Sequence, residues 1–389
     1  MKILFYADTV FSFGGVQRVL AVVAKALSEC HDVTILTTDR STDLSMYSYD
    51  ESRICFDYID YPQRRNAVFL LSKACSLAYK HLLPKTGLTA RLYHWSFFQP
   101  RFKRSLVAHV NRGGYDVVIG VHAFLSLHLA SVRHLLNVPV AIGWMHNSYE
   151  ALFVKRDPYL PRLKSFFGEE MKRLDRIVVL TRHDADLFRS CLGLDPTVVY
   201  NPLTLEPRGK ASASARKFLA VGRFSPLHKG FDLLVKAFSI FAKTDGDWTL
   251  EIVGEGPEEP MIRSLIVSAG LEHRVTISPF TSDIQRHYAS ASVFVLSSRW
   301  EGQPLVLAEA MAHGLPVVAS NIPVVVELLE GKETGVLFES GNAEALADAL
   351  TAVSRTTSWE SMSLNALSLS STFGIDECIM RWNSLFVAK

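Results

Sequence analysis

Apolar positions along this chain fall into short unbroken runs separated by amphipathic stretches, the pattern of buried parallel strands alternating with helices. Runs at Lys2–Ala7 and Asp32–Thr37 enclose FSFGGVQRVLAVVAKAL, whose apolar residues recur at helical spacing from about Val16. The three pieces predict a βαβ unit with a right-handed crossover. Runs at 115–121, 138–144, 176–180 and 197–200 predict further strands. A second alternation starts at Lys217–Val221, with strands at 248–253, 275–277 and Val293–Leu296 and helices at Phe231–Phe241, 260–269 and 284–289. It leads into SSRWEGQPLVLAEAMAHGLPVVAS. There a helix is expected to begin at Pro304, where a missing N–H costs nothing, and to stop at Gly314 and Pro316 before a strand at 315–319. Near the end, Ile375, Cys378, Ile379, Trp382 and Phe386 share one face of an amphipathic helix that must be buried on a domain.

A chain of 389 residues is too long for one ordinary core. Two α/β domains are expected, at 1–203 and 216–372. Between them 204–215, containing EPRGKASASA, reads as a linker, and 373–389 is the terminal helix. A hydrophobic fraction of 48% with 21% charged residues excludes general disorder. Five scattered cysteines without a C-x-x-C pair fit a reduced, cytoplasmic protein with no metal cluster. No leader precedes Met1, and no uncharged apolar run reaches the roughly 18 residues that span a bilayer. The net charge of +2 hides an uneven distribution. Between Asp60 and Asp116 there is no acidic residue, while Arg64, Arg65, Lys73, Lys80, Lys85, Arg91, Arg101, Lys103, Arg104 and Arg112 alternate with leucines and aromatics. This basic amphipathic region, 61–113, suits helices lying on an anionic membrane surface, where each basic side chain contributes about 1 kcal/mol. A solvated helical face and a nucleic-acid patch are the alternatives, and nucleic acid is not expected as a partner.

The candidate chemistry sits where strands end. Gly14 and Gly15 between the first strand and its helix let backbone amides approach a phosphate or sugar; without a G-x-G-x-x-G they do not read as a dinucleotide site. His122 and His146 follow two strand ends, the edge where α/β sheets bind ligands, and His146 is favoured because Asn147 and Ser148 follow it. In the second domain, Arg223 and Lys229 lie in the loop after the first strand. Glu301 and Glu309, with seven residues between them, lie after a later one. Two fixed cations suit a diphosphate, and two carboxylates suit vicinal hydroxyls of a ribose and a hexose. Each of the four alone would read as a surface ion pair; together they describe a nucleoside diphosphate sugar.

AVGRFSPLHKG, IVGEGP and SSRWEGQPLVLAEAMAHGLPVVAS, with FSFGGVQRV, MHN and YNP upstream, resemble the retaining glycosyltransferases of family 4. The resemblance spans nearly the whole chain. It implies the GT-B fold: two Rossmann-like domains facing across a cleft, with the C-terminal helix crossing back to the first. It implies that Arg223 and Lys229 bind the donor diphosphate and stabilise its departure. Glu301 would hold sugar hydroxyls, Glu309 the ribose, and His146 the donor sugar or the acceptor. Gly14, Gly15, Asn201, Gly222, Gly254 and the Gly302, Gln303, Pro304, Leu305 segment would line the nucleotide. The acceptor would be lipid-linked or polysaccharide, the reaction would need neither cofactor nor metal, and the protein would sit on the cytoplasmic face of the inner membrane. Many members have Gly-Phe-Gly where this chain has Gly302, Gln303 and Pro304, which makes that loop the place where donor choice is decided. A UDP-sugar 2-epimerase of the same fold and a non-catalytic nucleotide-sugar-binding subunit are the competing readings.

Overall fold

The computed structural model describes residues 1–40, 43–60, 67–84, 86–155, 157–225 and 227–387. It divides into two compact units, Met1–Pro202 with Ile375–Lys389, and Leu203–Gly374.

The first unit is built on seven parallel strands: β1 (Lys2–Ala7), β2 (Asp32–Thr37), β3 (Cys55–Tyr58), β4 (Val117–Val121), β5 (Val140–Trp144), β6 (Arg176–Val179) and β7 (Thr197–Val198). Their order is β3-β2-β1-β4-β5-β6-β7, so the direction of travel reverses between β1 and β4. β4 and β5 are buried throughout, as unbroken apolar runs require. β3 escapes sequence reading because CFDY has no apolar run and lies half-exposed at the sheet edge. The basic region forms helices Ala67–His81, Gly87–Phe97 and Pro100–Gly113. The third buries Phe102, Leu106 and Val110 in the core, whereas the first two pack on each other and leave Leu70, Leu71, Leu77 and Leu88 exposed, with Leu82 between them. Arg64, Arg65 and Lys85 lie outside the described residues.

The helix Ile375–Leu385 belongs to this first unit, although it follows the whole of the second in sequence. Trp382 is fully buried, edge-on to Trp144 at 4.9 Å, and Asn383 Oδ1 meets His31 Nε2 at 2.9 Å. The apolar stripe seen in the sequence therefore has its cover.

The second unit has six parallel strands: β8 (Lys217–Val221), β9 (Thr249–Val253), β10 (Val275–Ser278), β11 (Val293–Leu296), β12 (Val317–Ser320) and β13 (Gly335–Phe338). Their order, β10-β9-β8-β11-β12-β13, again reverses between the first and fourth strands in sequence. Both units are Rossmann-like and together make the GT-B fold. The segment expected as a linker is tied to the second unit. Ala211 N donates to His313 O at 2.9 Å, and Ser292 Oγ donates to Ser212 O at 2.7 Å. The helix after β11 runs Leu305–Ala312, one residue later than expected. Pro304 is its N-cap with ψ at 104°, an extended backbone that cannot open a helical turn.

Candidate functional site

Ligands of doubly wound sheets bind beyond the carboxyl ends of the strands, where the strand order reverses. In the second unit that point lies between β8 and β11, and the two loops leaving it carry Lys229 and Glu301. Lys229 Nζ donates to Glu301 Oε1 at 2.6 Å, and Ser298 Oγ donates to the same oxygen at 2.6 Å. His228 Nε2 lies 3.7 Å from Glu301 Oε2, its ring stacked on Trp300 at 4.9 Å with only 5° between the planes. The Lys229 and Glu301 side chains retain 15% and 7% exposure, so the pair is largely out of water. Burial alone would raise the Glu301 carboxyl. The Lys229 charge and the His228 contact outweigh it and hold the group at about 2.

The loops are fixed by backbone that tolerates little change. Gly230, next to Lys229, has φ of +67°, and a Cβ there would come within 2.1 Å of Ser297 O. Ser297 Oγ in turn donates to Lys229 O at 2.8 Å. Gly254 has φ of +153° and lies so close to Gly222 that a Cβ would meet its carbonyl oxygen at 2.0 Å. A Cβ on Gly222 would touch the Lys229 side chain at 3.3 Å. Arg299 makes a two-pronged ion pair with Asp232 at 2.9 and 2.8 Å, joining the β11 loop to the helix Phe231–Phe241.

The remaining expected residues are placed as follows. Arg223 is exposed, and no hydrogen bond or ion pair is found for its guanidinium among the described residues. Gly302 is half-buried, Gln303 and Pro304 are buried, and Leu305 opens the helix, whose first turn has no side-chain cap and no acidic residue. A helix N-terminus of this kind suits an anion. Glu309 sits inside the same helix at 1% exposure, with Oε2 accepting from Tyr288 OH at 2.9 Å and Oε1 from Thr204 Oγ1 at 3.1 Å. Lys229, Glu301, Gly222 and Gly254 are thus one contiguous group, and Glu309 has partners of its own.

His146, Gly14, Gly15 and Asn201 belong to the first unit. Gly14 and Gly15 are exposed at the start of the helix Gly15–Ser28, and Asn201 is buried. His146 packs on Trp144 at 4.3 Å between ring centres, and its Nε2 is buried without a hydrogen-bond partner among the described residues. Burial depresses its pKa to about 3, so the ring is neutral at physiological pH. Sequence reasoning did not find Ser298, Tyr288 or Thr204 as partners of the two glutamates. Ser298 stands three residues before Glu301, a spacing that could have suggested a local hydroxyl contact; the other two carry no local signal. No group of three or more His, Cys, Asp or Glu able to share a metal ion occurs among the described residues.

Residues 13–206 match the family model described as Glycosyltransferase Family 4, and 215–355 match that described as Glycosyl transferases group 1. A Haemophilus influenzae protein described as an uncharacterized glycosyltransferase is 30% identical over a 393-residue alignment covering 99% of each chain. A GDP-mannose:cellobiosyl-diphosphopolyprenol alpha-mannosyltransferase of Xanthomonas oryzae pv. oryzae is 26% identical over 254 residues, 61% of this chain and 64% of that one. Among solved structures, Anabaena Alr3699/HepE in complex with UDP superposes with a TM-score of 0.75 at 18% identity, covering 99% of both chains.

Proposed function

Because the chain belongs to glycosyltransferase family 4, we propose that it moves a hexose or N-acetylhexosamine from a nucleotide diphosphate sugar to a lipid-linked or cell-surface glycan, with retention of anomeric configuration. The nucleotide in this reading is UDP. The observation that carries it is the buried Lys229–Glu301 pair where the strand order of the second unit reverses.

A diphosphate held by the amides at Gly302 to Leu305 gives Lys229 a second anionic partner. Glu301, still held by Ser298, then accepts from sugar hydroxyls. As the glycosidic bond breaks, negative charge grows on the leaving phosphate while the anomeric carbon becomes oxocarbenium-like. Lys229, the exposed Arg223 and the helix N-terminus oppose that charge, which is electrostatic catalysis without a metal. Glu309 takes the ribose hydroxyls in exchange for its contacts with Tyr288 and Thr204. The acceptor belongs to the first unit, and the exposed leucines beside Lys73, Lys80 and Arg91 support a location on the anionic cytoplasmic face of the inner membrane. A lipid-linked acceptor is also what the Xanthomonas relative is described as using.

The test pairs binding with turnover. UDP, GDP, ADP and their sugars are compared in a thermal-shift panel, since a ligand bound only by the folded state raises its stability by mass action. A nucleotide released only with acceptor, and a glycosylated product, separate transfer from epimerisation. Lys229→Ala is expected to lose about a hundredfold or more in kcat, the scale of one such electrostatic contact, and to retain activity in EDTA to the same extent as the wild type. Near-normal turnover in Lys229→Ala overturns the assignment.

A further inference from the structure

The first unit carries a polar contact at the equivalent place in its own sheet. β1 and β4 are neighbours where its strand order reverses, and Asp8 follows one directly while His122 follows the other. His122 Nε2 lies 3.2 Å from Asp8 Oδ2.

His122 is held in a conformation that its side chain disfavours. Its φ is +61°, in the left-handed region, at the sharp turn from β4 into the helix His122–Val132. The surroundings enforce that turn. A Cβ on Gly120 would meet Ser126 Cα at 2.8 Å, so the helix lies directly on the strand end. Ser126 Oγ donates to the carbonyls of Gly120 and His122 at 2.7 and 2.8 Å. Phe124 N donates to His122 Nδ1 at 3.3 Å, which leaves the proton on Nε2, facing Asp8. Glycine or asparagine would adopt this backbone with less strain, so packing does not explain a histidine here. Strain that the fold enforces and does not need points to a task for the side chain.

Asp8 is fixed from the other sides. Thr9 N donates to Oδ1 at 2.7 Å, and the Thr37 and Thr38 hydroxyls hold its backbone carbonyl at 2.8 and 3.1 Å. The side chain nevertheless keeps 43% of its surface exposed. The result is an oriented, ionised carboxylate facing solvent at the ligand-binding edge. On the strand next to β4, β5 leads to His146, whose buried Nε2 has no partner among the described residues.

We propose that Asp8 contacts the acceptor of the transfer reaction, its carboxylate accepting a hydrogen bond from a glycan hydroxyl, with His122 as the residue that positions it. The proposal rests on the glycosyltransferase reading above. It also assigns a specificity: a neutral, polyhydroxylated sugar is accepted at this position, while a uronate or phosphate there is repelled.

Octyl β-D-glucoside and octyl β-lactoside serve as acceptor probes for the full chain, with UDP-glucose, UDP-N-acetylglucosamine and GDP-mannose as donors. Asp8→Asn is expected to lose roughly tenfold to a hundredfold in acceptor kcat/KM, the range for a hydrogen bond to a charged group, with the loss in acceptor KM. Stabilisation by nucleotide, which reads the second unit, should be unchanged. His122→Gly should lose a similar factor in acceptor kcat/KM with an equal or higher Tm, and His122→Asn, which tolerates the backbone and keeps a donor, should recover part of it. A purely structural His122 gives the opposite: a lower Tm with no selective change in acceptor KM. Unchanged acceptor kinetics in Asp8→Asn overturn the proposal. If the wild type neither turns over nor is stabilised by any nucleotide, the donor reading fails instead. Saturation-transfer NMR of the octyl glycosides then still decides on Asp8: a signal lost in Asp8→Asn supports the contact, and a retained signal, or none with the wild type, overturns it.

Discussion

Removing the Glu301 carboxylate from water is unfavourable by itself, and the contacts from Lys229, Ser298 and His228 offset that cost. The balance has a pH signature. With the folded-state pKa held at about 2, below the ordinary 4.5, the ionised pair stabilises the fold fully above pH 4.5. That contribution is lost as the pH falls from 4.5 towards 2. Glu301→Gln leaves Lys229 buried without its counter-charge and should cost about 3 kcal/mol at pH 7, the range for breaking a buried pair. Thermal melts from pH 7 to pH 3 should show the gap to wild type closing as the solution becomes acidic; a gap that does not depend on pH contradicts the pairing. The sequence singled out Lys229 and Glu301 as charged residues in glycine-bearing loops, and Glu309 as an acid within the helix that follows. Their hydroxyl partners were not legible there. Thr204 stands 105 residues from Glu309, and no local pattern announces a contact of that range.

Among the elements, strand runs were the most legible, since a strand buried on both faces must be apolar without interruption. The helix Leu305–Ala312 shows the limit of that logic. It is buried nearly all round, so its apolar pattern does not reveal that Glu309 faces Tyr288 and Thr204. Gly222 and Gly254 were expected to line the nucleotide, and Gly254, like Gly230 beside Lys229, is also required by positive φ and by a backbone that leaves no room for a Cβ. The terminal helix announced its apolar face, the family resemblance implied the first domain as its cover, and the structure supplies Trp144 there. Trp382→Ala should therefore destabilise the first unit by roughly 3–5 kcal/mol, the cost of emptying a large aromatic site, measured by denaturant melts. A change below 1 kcal/mol would mean that the helix is not docked on Trp144.

At the scale of the molecule, Leu82, just after the helix Ala67–His81, is 83% exposed and Leu88, in the helix Gly87–Phe97, is 78% exposed, in a region without acidic residues. Scattered exposed leucines are ordinary; several together beside Lys73, Lys80 and Arg91 suit an anionic bilayer. The protein should float with vesicles of anionic lipid, less with neutral ones, and Leu82→Glu with Leu88→Glu should abolish flotation; a protein that stays in the bottom fraction contradicts the membrane reading. No helix of the described residues is long and apolar enough to cross a membrane. Periodicity, spacing and composition were enough to establish two α/β domains of parallel strands and helices and the uneven charge, because hydrophobic burial and turn chemistry are local in sequence. Only the tertiary structure decided that Glu301 pairs with Lys229, that Glu309 pairs with Tyr288 and Thr204, and that His122 is strained against Asp8. Those outcomes depend on which strands become neighbours. Strand order brings together residues 72 or 114 positions apart, and no single stretch of sequence carries that information.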